Sequence, residues 1–392
     1  MSELRVLHCI TGMTGDGAQR KLLRLASGLG AYGVRSEVIN LGPDDTLVRS
    51  FEDLGIRVWS LGVSSSALGF ARGVYSTRSL IESLNPDLIQ GWMYHANIVV
   101  SSARSLARQG RVPVLWNIRR GLDDLAERSA KTRWVVRASA ATSRAAERII
   151  YCSERCKIQH ESYGFDSGAA CVIENGFDLT RFQPSELLRR ETRKRYAVPD
   201  DAILIGCIGR YDVAKGHSYL MEAFARLAPR HPKLRLLMAG RGVEPSNDSL
   251  LSIAKRAGCA DRVLMLGEQP STDRIYPALD IYCSSSLNEG FPNALSEAMA
   301  CGVPCVATDT GASRELVEGS GVVVPLRSVD GLAAGIEKLA TLSSARRTEL
   351  GERSRKLIAT KFSLDRVLQR YFELYAEIAS GSDTRRSAPA IG

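Results

Sequence analysis

Twice along this chain, short β-rich runs alternate with stretches whose apolar residues recur at helical spacing, and that alternation narrows the fold more than any other feature. In the first half the runs Leu4–Cys9, Ser36–Leu41, Arg57–Leu61, Asp87–Gln90 and Pro113–Asn117 are predicted strands. Helices fit the gaps: after Gly17, the residues Ala18, Leu22, Leu25 and Leu29 would bury one stripe against a sheet. Strand and helix in turn imply a parallel sheet. From Pro184 to Asp201 the chain becomes charged and strand-poor, with Leu187 to Tyr196 reading as a polar helix or linker. A second alternation then places strands at Ile203–Ile208, Leu234–Met238, Val263–Leu266, Ile281–Cys283, Pro304–Ala307 and Val322–Val324. After Ser328 only helical patterns follow, ending on Leu364, Val367, Leu368, Tyr371 and Leu374, and the residues from Gly381 read as an unstructured tail, 381–392. A chain of 392 residues is long enough for more than one core. The expectation is an α/β protein of two Rossmann-like domains, 1–184 and 185–362. Their parallel sheets would face an interdomain cleft lined by the carboxyl ends of strands, where ligands of such sheets bind.

Composition bounds the setting. The stretch Met1 to Cys9 carries Glu3 and Arg5 and does not read as a signal peptide, and no apolar run approaches the ~20 residues of a spanning helix. A cytoplasmic protein is expected. The nine cysteines are scattered, which suggests neither a disulfide framework nor a zinc site. Cys152, Cys156 and His160 would share a face if all lay on one helix, but a fourth ligand is missing and Cys152 is expected to end a strand, so packing is the simpler reading. The net charge of +9 is concentrated in residues 104–157, a segment suited to an anionic membrane surface at the cytoplasmic face, to a phosphorylated acceptor, or to plain solvation. No nucleic-acid recognition module accompanies it.

The segment from Ser284 to Pro304 joins a strand to a helix and returns to a strand. Pro292 suits a first helical turn, and Gly302 with Pro304 ends the helix. The amides of Asn293, Ala294 and Leu295, with the positive end of the helix dipole, form a phosphate-binding arrangement. Glu289 precedes the helix and Glu297 lies inside it, so two carboxylates could hold hydroxyls on either side of a diphosphate. Gly209-Arg210 follows a strand, and Lys215-Gly216 comes after a short turn, which brings two cations to the same sheet edge. There is no Asp-x-Asp pair to hold a metal, so metal-independent chemistry is expected, with no cofactor beyond a nucleotide-sugar co-substrate.

Glu289 and Glu297, seven residues between them, together with Gly209-Arg210 and Lys215-Gly216, resemble the retaining glycosyltransferases of family 4. Asn175-Gly176-Phe177-Asp178 with Phe182, and Gly240-Arg-Gly242, extend the resemblance over nearly the whole chain. The resemblance implies a GT-B fold and a terminal helix, 363–380, that crosses back onto the first domain. It also implies that Glu297 holds the donor ribose, Glu289 contacts the transferred sugar, and Arg210 and Lys215 carry the leaving diphosphate. The wider donor set would be Gly17, Gly209, Gly240, Gly290, Phe291, Asn293, Ala294, Leu295 and Glu297. The reaction implied is transfer from a nucleotide diphosphate-sugar, UDP favoured, to a glycan or lipid-linked acceptor in bacterial polysaccharide or glycolipid synthesis.

The acceptor half is less marked. The turn Gly12-Met-Thr-Gly15-Asp-Gly17-Ala-Gln19 opens a helix, but its glycine order is not that of a dinucleotide fingerprint, and the family usually shows Gly-Gly-Ala-Glu where this chain has Asp16-Gly17-Ala18-Gln19. His95, past the fourth strand, could accept a proton from an acceptor hydroxyl or simply cap the next helix. Arg119 and Arg120 could hold an acceptor phosphate or form a solvated pair. Lys131-Thr-Arg-Trp-Val-Val-Arg137 could touch a membrane surface or form an ordinary helix. A nucleotide-sugar epimerase and a catalytically silent partner subunit share the architecture and remain open; an oxidoreductase lacks its dinucleotide turn.

Overall fold

The computed structural model describes residues 3–14, 17–64, 66–108 and 112–386. Gly15 and Asp16 of the first glycine-rich turn lie outside the described residues. The first part of the chain contains β1 (Leu4–Ile10), α1 (Gly17–Leu29), β2 (Val34–Asn40), α2 (Val48–Glu52), β3 (Val58–Ser60), α3 (Ala67–Leu84), β4 (Leu88–Trp92), α4 (Met93–Leu106), β5 (Val114–Ile118), α5 (Ala130–Thr142), β6 (Arg148–Tyr151), α6 (Glu154–Tyr163) and β7 (Ala170–Val172). All seven strands pair in parallel in the order β3-β2-β1-β4-β5-β6-β7. β6 matches the strand expected to end at Cys152, whereas β7 was not read from the sequence, since Ala-Cys-Val carries a single β-branched residue and no alternation.

There follow α7 (Glu186–Arg195), β8 (Ile203–Ile208), α8 (His217–Leu227), β9 (Leu234–Ala239), α9 (Asp248–Arg256), β10 (Val263–Met265), β11 (Ile281–Ser284), α10 (Asn293–Ala300), β12 (Cys305–Thr308), α11 (Ser313–Val317), β13 (Gly321–Val324), α12 (Val329–Ala340), α13 (Ser344–Lys361) and α14 (Leu364–Arg386). The second sheet has six parallel strands in the order β10-β9-β8-β11-β12-β13. Its core joins Leu220 and Phe224 of α8 to Leu332 and Ile336 of α12 over Leu236, Met238 and Val306 of the strands. Each such side chain, fully buried, contributes about 1.5–3 kcal/mol.

The chain divides into two compact units at Asn175–Gly176, not at the expected 184/185. The segment from Gly176 to Pro184 packs with the second unit: Phe177 donates its amide to the Phe362 carbonyl at 2.9 Å, and the Phe182 ring meets Tyr276 edge-on. The stretch read as a polar helix or linker is α7, capped by Ser185 and tied down by Arg189 and Arg193 on Asp280, at 2.6 and 3.0 Å. Residues from Asp365 onward group with the first unit. There Leu368 fills the space over Gly28, Asn117 donates to the Tyr371 hydroxyl at 2.9 Å, and Tyr375 donates to Gln90. The helix continues past Gly381 to Arg386, so the expected tail is helical that far, and 387–392 lie outside the described residues. No described helix is long and apolar enough to cross a membrane.

Candidate functional site

In the second unit the strand order reverses between β8 and β11, and the loops leaving the carboxyl ends of these neighbours build the site. After β8 the chain passes Gly209 and Arg210 into a tight turn, Val213–Lys215, which Asp212 caps by accepting from the Ala214 amide at 2.8 Å. Gly216 then takes a left-handed φ of 61°, and a Cβ there would lie 2.2 Å from the Ser285 carbonyl oxygen. Only glycine permits that approach. Two hydrogen bonds lock the loops together: Leu287 N–H donates to the Ala214 carbonyl at 2.7 Å, and the Ser285 hydroxyl donates to the Lys215 carbonyl at 2.9 Å.

The locked loops place Lys215 Nζ 2.5 Å from Glu289 Oε1, which also accepts from the Ser286 hydroxyl at 2.8 Å. The Glu289 amide donates to Thr310 Oγ1 at 3.1 Å, so both the backbone and the side chain of Glu289 are fixed. Beside this pair lies a small recess lined by Gly209, Lys215, His217, Glu289, Ala294 and Leu295, among others. The last two belong to the first turn of α10. Pro292 stands at the N-cap of α10 instead of inside its first turn, and as it offers no side-chain acceptor it cannot cap the amides that follow. A cation and a helix N-terminus beside one small recess are groups that attract a phosphate, and the carboxylate next to them can accept a hydrogen bond from a hydroxyl.

Glu297 is held separately. The hydroxyl of Tyr276, itself fully buried, donates to Glu297 Oε2 at 2.9 Å, and the Tyr276 ring is wedged between Phe182 and Tyr282. Gly290 and Phe291 are buried, and the Phe291 ring stacks on Phe177 and meets Phe362 edge-on. Gly240, with φ of 145°, lies so close to Gly209 that a Cβ would sit 2.1 Å from the Gly209 carbonyl oxygen. Arg210 is exposed, with Nη2 3.2 Å from Asp212 Oδ2, and is not among the residues lining the recess. Sequence reading did not reveal Tyr276, Ser286, Thr310 or His217. The one available signal was for His217, which directly follows Lys215-Gly216.

Of the remaining predicted residues, Gly17, His95, Arg119 and Arg120 belong to the first unit. Gly17 opens α1. His95 is exposed in the first turn of α4; partial desolvation, then the charge of Lys131, holds its pKa below the ordinary value. Arg119 is engaged in the fold: Nη1 donates to the Ile173 carbonyl at 2.9 Å and to Asn175 Oδ1 at 3.1 Å, and Nη2 donates to Tyr371. Its guanidinium also lies over the rings of Trp92 and Tyr371. The bond to Tyr371 ties α14 to the end of β5, so the guanidinium read as an acceptor-phosphate group is engaged within the fold. The Arg120 carbonyl receives the Cys156 thiol at 3.1 Å. His160 is buried, with Nε2 2.7 Å from the Tyr94 hydroxyl and Nδ1 2.7 Å from the Cys156 carbonyl, which makes it a packing residue. Among the described residues no group of three or more His, Cys, Asp or Glu is placed to hold a metal.

Residues 189–357 match a family model described as "Glycosyl transferases group 1", and residues 15–181 match one described as "Glycosyltransferase Family 4". The lipopolysaccharide core biosynthesis mannosyltransferase LpsB of Rhizobium meliloti (strain 1021) is 37% identical over 151 residues, which are 38% of this chain and 43% of that protein. The D-inositol 3-phosphate glycosyltransferase of Corynebacterium jeikeium (strain K411) is 31% identical over 240 residues, 59% of this chain and 57% of that protein. The chain thus spans about half the length of these relatives. Among solved structures, Anabaena Alr3699/HepE in complex with UDP superposes with a TM-score of 0.82 at 21% identity, over 95% of this chain and all of that one. That likeness concerns the fold.

Proposed function

We propose a function from one premise: this chain belongs to the group 1 glycosyltransferases of family 4, and its two parallel-sheet units have the α/β GT-B fold. We infer that it transfers a sugar from a nucleotide diphosphate-sugar, with UDP favoured, to a glycan or lipid-linked acceptor in bacterial polysaccharide or glycolipid synthesis, retaining the anomeric configuration. The observation that carries this reading is the 2.5 Å Lys215–Glu289 pair, held by two locked loops beside the first turn of α10. A diphosphate entering the recess would draw Lys215 to itself and release Glu289 to accept a hydrogen bond from a sugar hydroxyl. As the bond from the anomeric carbon to the phosphate oxygen breaks, charge accumulates on the leaving diphosphate. Lys215, once drawn to the diphosphate, and the first-turn amides of α10 would stabilise that charge, with Arg210 joining them by turning in from Asp212. The acceptor oxygen would bond to the anomeric carbon from the same face, its proton passing to a departing phosphate oxygen, so the atoms balance with no covalent intermediate and no metal.

Two relatives named for sugar transfer, and a fold neighbour crystallised with UDP, favour this donor class. On the acceptor side, His95 has its pKa held low and so is neutral near pH 7, which fits it to accept a hydrogen bond from an incoming hydroxyl. Contact with a membrane at the cytoplasmic face is supported by α5, which exposes Trp134 together with Lys131, Arg133 and Arg137 while burying Val135 and Val136. Lys215→Ala should lower turnover about 100-fold or more, the effect of losing one preorganised charge-stabilising group, with the melting temperature nearly unchanged. Nucleoside diphosphate release in the presence of acceptor measures it, and NMR of the product reads the anomeric configuration. A near-normal rate in that variant would remove this mechanism, and an inverted product would remove retention.

A further inference from the structure

His217 is the first residue of α8 and directly follows the left-handed Gly216 at its N-cap. Its side chain is 2% exposed, lines the recess together with Lys215 and Glu289, and has no hydrogen-bond partner on either ring nitrogen. An imidazole buried with both nitrogens unpaired is costly, and a folded protein retains such a group where something else satisfies it. The surroundings say what chemistry that would be. Lys215 Nζ brings positive charge, and neither α8, which begins at His217, nor α10, whose Ala294 and Leu295 line the same recess, has a side-chain N-cap. Burial, then the charge of Lys215, lowers the His217 pKa to about 4, against a weaker opposite pull from the Gly209 carbonyl and Asp212, neither of which makes a hydrogen bond of good geometry to the ring. The ring is therefore neutral near pH 7 and carries one N–H donor among groups that attract an anion.

We infer that His217 is a donor-contacting residue, whose imidazole N–H donates a hydrogen bond to a phosphate oxygen of the bound nucleoside diphosphate, alongside Lys215. Neither the Glu289 and Glu297 pair nor the two cations read from the sequence include it. The inference rests on the donor reading above and adds a specific ligand-contacting group to it. It also makes an unusual stability statement. Because the ring is an unsatisfied polar group when no ligand is bound, replacing it with an apolar side chain of similar bulk should leave the ligand-free fold as stable as before, or more so. A residue that served only to pack α8 would behave in the opposite way.

The test is isothermal titration calorimetry of the whole chain with UDP, GDP and ADP, using wild type, His217→Leu and His217→Gln, with thermal melts of each ligand-free protein. A hydrogen bond to a charged group is worth about 1.5–3 kcal/mol, so His217→Leu should bind its diphosphate roughly 10- to 100-fold more weakly while its unliganded melting temperature holds or rises. His217→Gln, which keeps an N–H donor, should recover part of the loss. Binding by His217→Leu within twofold of wild type would overturn the inference and leave the donor site standing. Should wild type bind none of the three diphosphates, the donor reading falls and this inference falls with it.

Discussion

Tyr276 places its hydroxyl 2.9 Å from Glu297 Oε2, deep in a fully buried setting, and this single bond decides where one of the two carboxylates points. On the proposed donor reading, Tyr276 is a positioning residue that would act through Glu297. Tyr276→Phe keeps the ring between Phe182 and Tyr282 and removes only the oxygen. It should raise the KM for the nucleotide-sugar several-fold while kcat changes less, at a stability cost of about 1 kcal/mol. Steady-state kinetics with the donor varied makes the check, and an unchanged KM would show that Glu297 needs no such alignment. At this scale the sequence showed the ionic groups and hid their supports. Glu289, Glu297 and Lys215 stand out by type and spacing, whereas Tyr276, Ser286 and Thr310 are ordinary residues whose role exists only through a hydrogen bond made across 21, 3 and 21 positions of chain. Arg119 shows another side of this: its position at a strand end was legible, but its bonds to Ile173, Asn175 and Tyr371 were not.

At the scale of elements, α10 was legible because Pro292, Gly302 and Pro304 punctuate both its ends, and α14 because its apolar stripe persists over several turns. β7 was not, since Ala-Cys-Val shows no pattern of its own and acquires its identity from its pairing with β6. The domain boundary was displaced for a related reason. Pro184 looks like a hinge, but Phe177 and Phe182 upstream of it insert into the second unit, and apolar burial determines membership where composition does not. α5 carries the element-scale prediction. An exposed tryptophan flanked by Lys131, Arg133 and Arg137 should bind vesicles containing anionic phospholipid, more weakly as salt rises. Trp134→Ala should reduce co-sedimentation with such vesicles about tenfold, and equal binding by the variant would return α5 to an ordinary surface helix.

For the whole molecule, the twofold alternation of strand and helix was enough to foresee two parallel sheets, because that pattern permits few other arrangements. Three buried histidines in these units also set a pH limit. Burial holds His8 down to about 3, and His160 and His217 down to about 4, from an ordinary 6.5. All three are neutral in the native state, whereas the unfolded chain takes up a proton on each below about pH 6.5. Stability from these groups is therefore complete above that pH and is lost as pH falls toward their folded values, with each removing about 2 kcal/mol by pH 5. Urea unfolding at pH 7 and pH 5 should show the midpoint falling, and a midpoint that rose would contradict the assignment.

The most direct test of the account is a thermal melt of the intact protein with UDP, GDP, ADP or NAD, repeated with Glu297→Ala. A ligand that binds only the native state stabilises it by about 2.7 kcal/mol at a hundred times its Kd. The account predicts that one nucleoside diphosphate, UDP foremost, raises the melting temperature of wild type and that the rise disappears in the variant. A rise with NAD alone, or an equal rise in wild type and Glu297→Ala, would contradict it.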